Sequence, residues 1–189
     1  FHASDEQRTQ AIATAVDTCR DRIPIIAHVG DTSLARACDR AREARQMGVT
    51  HVAAITPYYL RIEREELEDH HRRIADAFGG PIFMYQHPAT GDEGLSVESI
   101  LRLADDGVVC GIKESGSDLD WFESLCQAIA DADADFTCMH GAGATAIDSL
   151  SRGGDGLVTV AANLLPRTMS SLFDAFEGGA LEEAHRHQE

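Results

Sequence analysis

Short apolar stretches alternate with longer amphipathic ones along the chain. The short stretches predict strands at residues 23–30, 51–57, 82–88, 108–115, 136–140 and 157–162. Between them, apolar residues recur every three or four positions and predict helices at residues 11–20, 32–47, 63–78, 96–106, 118–130, 144–151 and 166–176. Strands that are apolar throughout and alternate with helices indicate parallel β/α units, in which both faces of the sheet are covered.

Residues with known preferences for helix ends support these boundaries. Ser96 is a suitable N-cap, and Pro166 stands in the first turn of the last predicted helix. Gly48 and Gly79 each follow the last residue of a predicted helix, where glycine is the commonest terminator.

Two architectures are built from such units, an open doubly wound sheet and a closed TIM (β/α)8 barrel. The dinucleotide-binding version of the open sheet is disfavoured, because no G-x-G-x-x-G motif follows the first strand and the segment 141–144 (Gly-Ala-Gly-Ala) is too short a match and too late in the chain. A complete barrel has eight strands in about 250 residues. The sequence therefore predicts one α/β domain over residues 1–189, an incomplete TIM barrel with about strands 3 to 8. Because the chain starts at Phe1 and enters a helix-like segment at once, we expect a fragment of a longer barrel.

The charge balance narrows the possible partners. Lys+Arg of 16 against Asp+Glu of 32 gives a formal net charge of −16, which argues against binding to nucleic acid or to an anionic membrane surface. A hydrophobic fraction of 43% is too high for a disordered acidic chain. An acidic surface with almost no lysine suggests adaptation to high salt, and ordinary acidic solubility in an arginine-rich genome is the alternative.

Cysteine usage and hydropathy indicate a compartment. The five cysteines form no C-x-x-C pair and their odd number fits no closed disulfide set, so reduced thiols are expected. No signal peptide and no apolar run of membrane-spanning length is visible. These features predict a cytoplasmic protein.

Lys113 is the only lysine in the chain, and the other 15 positively charged residues are arginines. Arginine replaces lysine on a surface but does not offer a neutral amine, so one lysine at the end of an apolar strand is a candidate nucleophile for imine (Schiff base) formation with a carbonyl substrate. The amine must be neutral to attack, and burial at a barrel mouth favours the neutral form. The alternative is an ordinary solvated lysine at a strand end.

Other candidate residues lie at the carboxyl ends of the predicted strands, where barrel enzymes build their active sites. Tyr85 ends the strand that precedes the lysine strand, and its phenol is placed to move protons for an amine-bound substrate. Thr56 ends another strand and is a candidate for substrate binding. Gly141 and Gly143 precede a predicted helix, where backbone N–H groups bind an anion or simply form a tight turn.

Four motifs together resemble the dihydrodipicolinate synthase and N-acetylneuraminate lyase family of pyruvate-dependent class I aldolases. They are Thr-Pro-Tyr-Tyr (56–59), Tyr-Gln-His-Pro (85–88), Gly-Ile-Lys-Glu-Ser (111–115) and the segment 153–166. The resemblance implies a TIM barrel, usually a homotetramer, in which Lys113 forms the imine with pyruvate or a 2-keto acid and Tyr85 shuttles protons. It also implies that Tyr59 reaches into the site of a neighbouring subunit, and that no metal or organic cofactor is needed.

Two departures from the family pattern bear on activity and substrate. The Gly-Thr-Thr-Gly-Glu-type loop of the second strand, which binds the pyruvate carboxylate, is absent. The arginine that synthases carry shortly after the Tyr-x-x-Pro motif is also absent, and Ala-Thr-Gly (89–91) stands there, as in archaeal 2-keto-3-deoxygluconate aldolases. We therefore favour a 2-keto-3-deoxy(phospho)gluconate aldolase of haloarchaeal type, in which Arg61 binds the substrate tail or is simply solvated.

Three alternatives stay open at this stage. The first is 4-hydroxy-tetrahydrodipicolinate synthase, and the second is a truncated, non-catalytic barrel that binds or assembles with a partner. The third, a divalent-metal aldolase, has little support in the sequence, because the adjacent His70 and His71 diverge on a helix and His185 and His187 lie on different helix faces.

Overall fold

The computed structural model describes residues 3–19, 22–58, 62–90 and 94–188. Within them the strands are β1 (Ile26–His28), β2 (His51–Ile55), β3 (Ile82–Gln86), β4 (Val109–Glu114), β5 (Thr137–His140) and β6 (Gly156–Leu157). The helices are α1 (Asp5–Cys19), α2 (Leu34–Gln46), α3 (Arg64–Phe78), α4 (Val97–Asp105), α5 (Leu119–Asp131), α6 (Ala146–Ser151), α7 (Ala161–Leu164), α8 (Pro166–Glu177) and α9 (Leu181–Gln188). The strand order follows the chain from β1 to β6, and the described pairings are parallel. The chain therefore has the predicted parallel α/β fold.

The chain divides into two compact units, and the first comprises residues 1–85 and 89–110. In it, β1 pairs with β2 through the register Ile26↔His51, and β2 pairs with β3 through Ala53↔Phe83. Helix α2 turns a face of small buried residues toward its neighbours, namely Ala37, Cys38, Ala41 and Ala44. Because these side chains are short, α2 approaches α3 closely, and α3 contributes larger buried side chains such as Leu67 and Ile74.

The second unit comprises residues 86–88 and 111–189. Its strands β4 and β5 pair through Gly111↔Thr137 and continue to Glu114↔His140 at their carboxyl ends. Helix α5 buries Phe122, Leu125, Cys126 and Ile129, which recur at helical spacing on one face. A separate hydrophobic cluster joins α6, α8 and α9 around the fully buried Leu172 and Ala184.

Most boundaries agree with the sequence prediction to within a few residues. Ser96 is the N-cap of α4, and its Oγ accepts a hydrogen bond from Ser99 N at 3.3 Å. The prediction of a strand over residues 157–162 was wrong for most of that range. Strand β6 ends at Leu157, and the chain enters α7 at Ala161. Thr159 Oγ1 accepts a hydrogen bond from Ala161 N at 3.2 Å and thereby caps this turn. Helix α9 was not predicted.

Strands β3 and β4 are buried at most positions, as predicted for strands covered on both faces, whereas β1 and β2 differ from that prediction. The described strand β2 alternates between buried and half-buried residues, and only the central residue of β1 is buried. Among the described residues, no helix is both long and apolar enough to cross a membrane.

Candidate active site

The lone lysine lies at the carboxyl end of β4, next to a glycine that leaves room for it. Lys113 pairs with Met139 of β5, and Gly141 is the first residue after that strand. A Cβ atom on residue 141 would lie 2.9 Å from Lys113 Cε and would collide more severely with Ser115 Oγ. Any larger residue at position 141 would therefore require the lysine and serine side chains to shift from the space that they occupy.

Ser115 is a site residue that the sequence reasoning did not single out. It lies two positions after Lys113, so both side chains point to the same face of an extended chain, and both are half-buried against Gly141. The sequence did contain a signal for this residue, because residues 113 and 115 are two positions apart and therefore share one face of a strand. The structure thus places a hydroxyl beside the lysine side chain.

A buried polar layer lies next to this lysine on the strand. Glu114, which is 7% exposed, accepts a hydrogen bond from Gln86 Nε2 at 3.2 Å and another from the backbone N–H of Gly116. His140, which is 1% exposed, ends β5 opposite Glu114 and packs edge-on against Phe122 with ring centroids 5.1 Å apart. This layer connects the ends of β3, β4 and β5 within the second unit.

Burial governs the ionisation of both titratable side chains in the layer. It raises the pKa of the Glu114 carboxyl, while hydrogen bonds from Gly116, Gln86 and Ser115 act in the opposite direction. It lowers the pKa of His140, and backbone hydrogen bonds to Gly116 and Ala142 oppose the shift. The His140 imidazole is therefore held in its neutral form near pH 7.

Two predicted site residues, Tyr85 and Thr56, belong to the first unit. Tyr85 is half-buried at the end of β3, and its ring meets that of His28 edge-on with centroids 6.0 Å apart. Thr56 is 2% exposed, and its N–H donates to the carbonyl of Tyr85 at 3.1 Å. Since Lys113 belongs to the second unit, the pairing of Tyr85 with the lysine stays a prediction.

The remaining predicted residues have different outcomes. Tyr59 and Arg61 lie outside the described residues. Gly143 opens a 3-10 turn before α6, and a Cβ at this position would lie 2.8 Å from Thr159 Oγ1. The structure thus gives Gly143, like Gly141, a spatial reason to be glycine, and anion binding by this turn stays a prediction.

Two adjacent histidines of the first unit, His70 and His71, lie in its interior. His70 and His71 are 4% and 0% exposed, with ring centroids 5.5 Å apart at an interplanar angle of 84°. His71 Nδ1 lies 2.7 Å from the Leu67 carbonyl oxygen, and burial lowers the pKa of His70 to about 3 and that of His71 to about 4. Within residues 3–19, 22–58, 62–90 and 94–188, no three His, Cys, Asp or Glu side chains are grouped so that they could hold a metal ion.

These features define a parallel α/β protein with its lone lysine at the carboxyl end of a strand, the place where β/α proteins build their sites. The chain belongs to the Dihydrodipicolinate synthetase family, whose family model matches residues 1–189. The resemblance inferred from the four sequence motifs is thereby confirmed.

Individual relatives agree with this assignment. The chain is 31% identical over 181 residues to a 4-hydroxy-tetrahydrodipicolinate synthase of Thermodesulfovibrio yellowstonii, covering 96% of this chain and 61% of the relative. It is 30% identical over 182 residues to an uncharacterized DapA-like lyase of Halobacterium salinarum, covering 96% of this chain and 59% of that protein. The chain thus spans about three fifths of the length of these curated relatives.

Solved structures show the same fold. The structure of the 4-hydroxy-tetrahydrodipicolinate synthase from Methylacidiphilum fumariolicum SolV superposes with a TM-score of 0.90 at 31% identity, covering 99% of this chain and 62% of that one. The structure of CdNal from Clostridium difficile in complex with mannosamine has a TM-score of 0.90 at 20% identity, covers 98% of this chain and 63% of that one, and supports the fold alone.

Proposed function

We propose that this protein is a Schiff-base-forming carbon–carbon lyase or aldolase that binds pyruvate or another 2-keto acid on Lys113. The observation that carries this proposal is the position of the lone lysine, half-buried at the end of β4 with its Cε packed over Gly141 beside the Ser115 hydroxyl. Family membership supports the same chemistry.

The proposed reaction consists of imine formation on Lys113 followed by cleavage of a carbon–carbon bond. The neutral amine of Lys113 adds to the keto carbon, and loss of water from the carbinolamine yields a protonated imine. When the C4 hydroxyl loses its proton, the C3–C4 bond breaks, its electron pair moves to the imine nitrogen, and an aldehyde leaves an enamine behind. Protonation of the enamine at C3 and addition of water to the resulting imine then release pyruvate and the free amine. Tyr85 is assigned the proton transfers to and from the carbinolamine and aldol hydroxyl groups. In the synthetic direction the enamine attacks the aldehyde by the same steps.

Two substrate assignments are proposed, each with its own support. A 2-keto-3-deoxy(phospho)gluconate aldolase is favoured by Ala89 and Thr90, which follow Pro88 where synthases carry an arginine. A 4-hydroxy-tetrahydrodipicolinate synthase is favoured equally by the names of the bacterial relatives. In either case Thr56, Arg61, Gly141 and Gly143 are proposed to contact the substrate, and no cofactor is required.

For the complete architecture we propose a TIM barrel in which β1 to β6 are strands 3 to 8 and residues 1–189 form one catalytic domain. Apolar side chains at the two terminal strands support further covering elements. Ile26 of β1 is 39% exposed, and Val158 and Val160, directly after β6, are 41% and 78% exposed. We also propose a homotetramer, in which Tyr59 contributes to the site of a neighbouring subunit.

Borohydride reduction in the presence of pyruvate tests the proposal on the complete gene product in high-salt buffer. The expected result is a stable adduct of reduced pyruvate, which peptide mapping places on Lys113 and which is absent in Lys113→Ala. A control variant, Lys113→Ala/Arg64→Lys, moves the lysine to the exposed first residue of α3 and is expected to trap nothing. Absence of an adduct on the folded wild-type protein would overturn the imine and favour the non-catalytic barrel, whereas activity lost on chelation would favour a metal aldolase.

A further inference from the structure

Glu114 forms hydrogen bonds with residues of three neighbouring segments. Its carboxylate accepts a hydrogen bond from Gln86 Nε2 at the end of β3 and one from the Gly116 N–H in the turn after β4. Its backbone carbonyl accepts a hydrogen bond from the Gly141 N–H, after β5, at 2.7 Å. In addition, the Ser115 N–H donates to the Gln86 carbonyl at 3.1 Å. One residue thus ties together the ends of three adjacent strands.

The turn after β4 is shaped around this carboxylate. A Cβ on residue 116 would collide with Glu114 Oε1, so glycine at this position permits the close approach of the carboxylate to the turn. Burying a carboxylate costs free energy unless hydrogen bonds replace its hydration. Here the Gln86 and Gly116 donors serve that purpose, and losing them would leave a buried polar group unpaired.

The Glu114 side chain does not share a face with the lysine. Successive residues of a strand point to opposite faces, so Glu114 points away from the face on which Lys113 and Ser115 pack over Gly141. It therefore influences the amine only by fixing the backbone on either side of it. Gln86, its side-chain partner, directly follows Tyr85 in the chain.

We propose that Glu114 is a positioning residue for the imine-forming reaction: by holding Gln86 and the Gly116 turn, its carboxylate fixes the end of β4 so that the Lys113 amine is held over Gly141. This inference rests on the proposed function. It assigns the carboxylate a role through hydrogen-bond geometry and not through its charge.

Two substitutions at position 114 separate geometry from charge. In Glu114→Gln, rotation of the Gln86 amide by half a turn presents its oxygen to the new amide, so both hydrogen bonds are kept without the charge. In Glu114→Ala, both are lost. We expect Glu114→Ala to lower the rate constant for borohydride-trapped imine by about tenfold, since small misplacements of a reacting group have effects of this size. Glu114→Gln is expected to restore most of the rate.

Further variants keep the test valid if Glu114→Ala does not fold. Gln86→Ala removes one donor and leaves the bond to Gly116, and is expected to give a smaller loss in the same direction. The matched control is Asp155→Ala, which removes a carboxylate that accepts from the Cys138 N–H at 2.7 Å near the start of β5, and is expected to trap at the wild-type rate. Wild-type rates in folded Glu114→Ala and Gln86→Ala, or an equal loss in Glu114→Gln and Glu114→Ala, would overturn the inference.

A second measurement follows the amine without substrate and so separates this inference from the proposed function. Reductive methylation with 13C-formaldehyde labels the Lys113 amine, and its NMR resonance is identified by its absence from Lys113→Arg. In the wild type and in Glu114→Gln, we expect the Lys113 resonance to be shifted from the position of a free lysine. In Glu114→Ala, we expect it at the position of a free lysine. The same resonance position in all three proteins would overturn the positioning role, whereas a wild-type protein that shows the shifted resonance but traps no pyruvate would overturn only the proposed function.

Discussion

Position 141 shows how one residue type is required by its neighbours. The Lys113 and Ser115 side chains fill the volume where a Cβ would stand, so the constraint is one of space and not of backbone conformation. The sequence placed Gly141 at a strand end and left anion binding and a tight turn as alternatives, because nothing in its local pattern shows which side chains from the neighbouring strand lie over it.

Gly141→Ala is therefore expected to displace the lysine while leaving the fold intact. A new methyl group 2.9 Å from Lys113 Cε forces the amine to move, and misplacement by about 1 Å can lower a rate by about 100-fold. The rate of borohydride trapping measures the effect. Gly156→Ala is the matched control, since a Cβ there meets Met139 Cγ at an ordinary 3.8 Å. Equal trapping by the two variants would contradict the spatial role of Gly141.

The buried His70 and His71 pair provides a second effect at the residue scale. Their pKa values, about 3 and about 4 in the folded chain, lie below the ordinary value of 6.5. The unfolded chain therefore binds more protons than the folded chain as pH falls below 6.5, and stability declines until the folded pKa values are reached.

We expect the free energy of unfolding to fall between pH 6.5 and pH 4 by up to about 1.4 kcal/mol per pH unit for each histidine. Urea denaturation at a series of pH values measures this slope. His71→Phe removes one titrating group from the fully buried position and is expected to flatten the profile. His185→Phe replaces an exposed histidine in the same way and is the control for the substitution itself. Identical profiles for the wild type and His71→Phe would contradict the assignment.

At the scale of the element, local sequence accounts for most helix ends. Ser96 caps α4 as predicted, because a serine side chain satisfies a free N–H wherever the following residues form a helix. The length of strand β6 was overestimated because the apolar residues 158–162 that follow it have the composition of a strand. The chain instead turns into α7, where Thr159 is buried and caps the turn.

Ser96→Ala is expected to lower the free energy of unfolding by about 1 kcal/mol, since the Ser99 N–H then loses its acceptor at the first turn of α4. Urea denaturation detects a difference of this size. Ser151→Ala, at an exposed position in the last turn of α6, is the comparison variant and is expected to leave stability nearly unchanged. A loss at Ser151 as large as that at Ser96 would contradict the capping role.

At the scale of the whole molecule, the dominant feature is a formal net charge of −16. Arginine forms most of the described ion pairs with acidic partners, as in Arg152 with Asp120 at 2.7 Å and Glu123 at 2.6 Å. Such exposed pairs contribute little, so the repulsion among the excess carboxylates is the larger effect and is reduced by added salt.

We expect the melting temperature to rise with KCl concentration well beyond physiological ionic strength. The Debye length shortens from about 10 Å at 0.1 M to about 3 Å at 1 M, so repulsion between neighbouring carboxylates continues to decrease over this range. Thermal denaturation in KCl, with sucrose of equal osmolality as the non-ionic control, measures the effect. A melting temperature that stops rising near physiological ionic strength would favour ordinary acidic solubility over adaptation to high salt.

The sequence alone determined the parallel β/α alternation, the family and the lone lysine at a strand end, because these depend on local periodicity and on residue identity. Tertiary structure decided which side chains surround that lysine. Ser115 over Gly141, and Glu114 with Gln86, meet only when adjacent strands align in register. It also decided that His70 and His71 are buried, since the burial of a helix face depends on what packs against it. Such contacts join residues distant in the chain, and no local pattern encodes them.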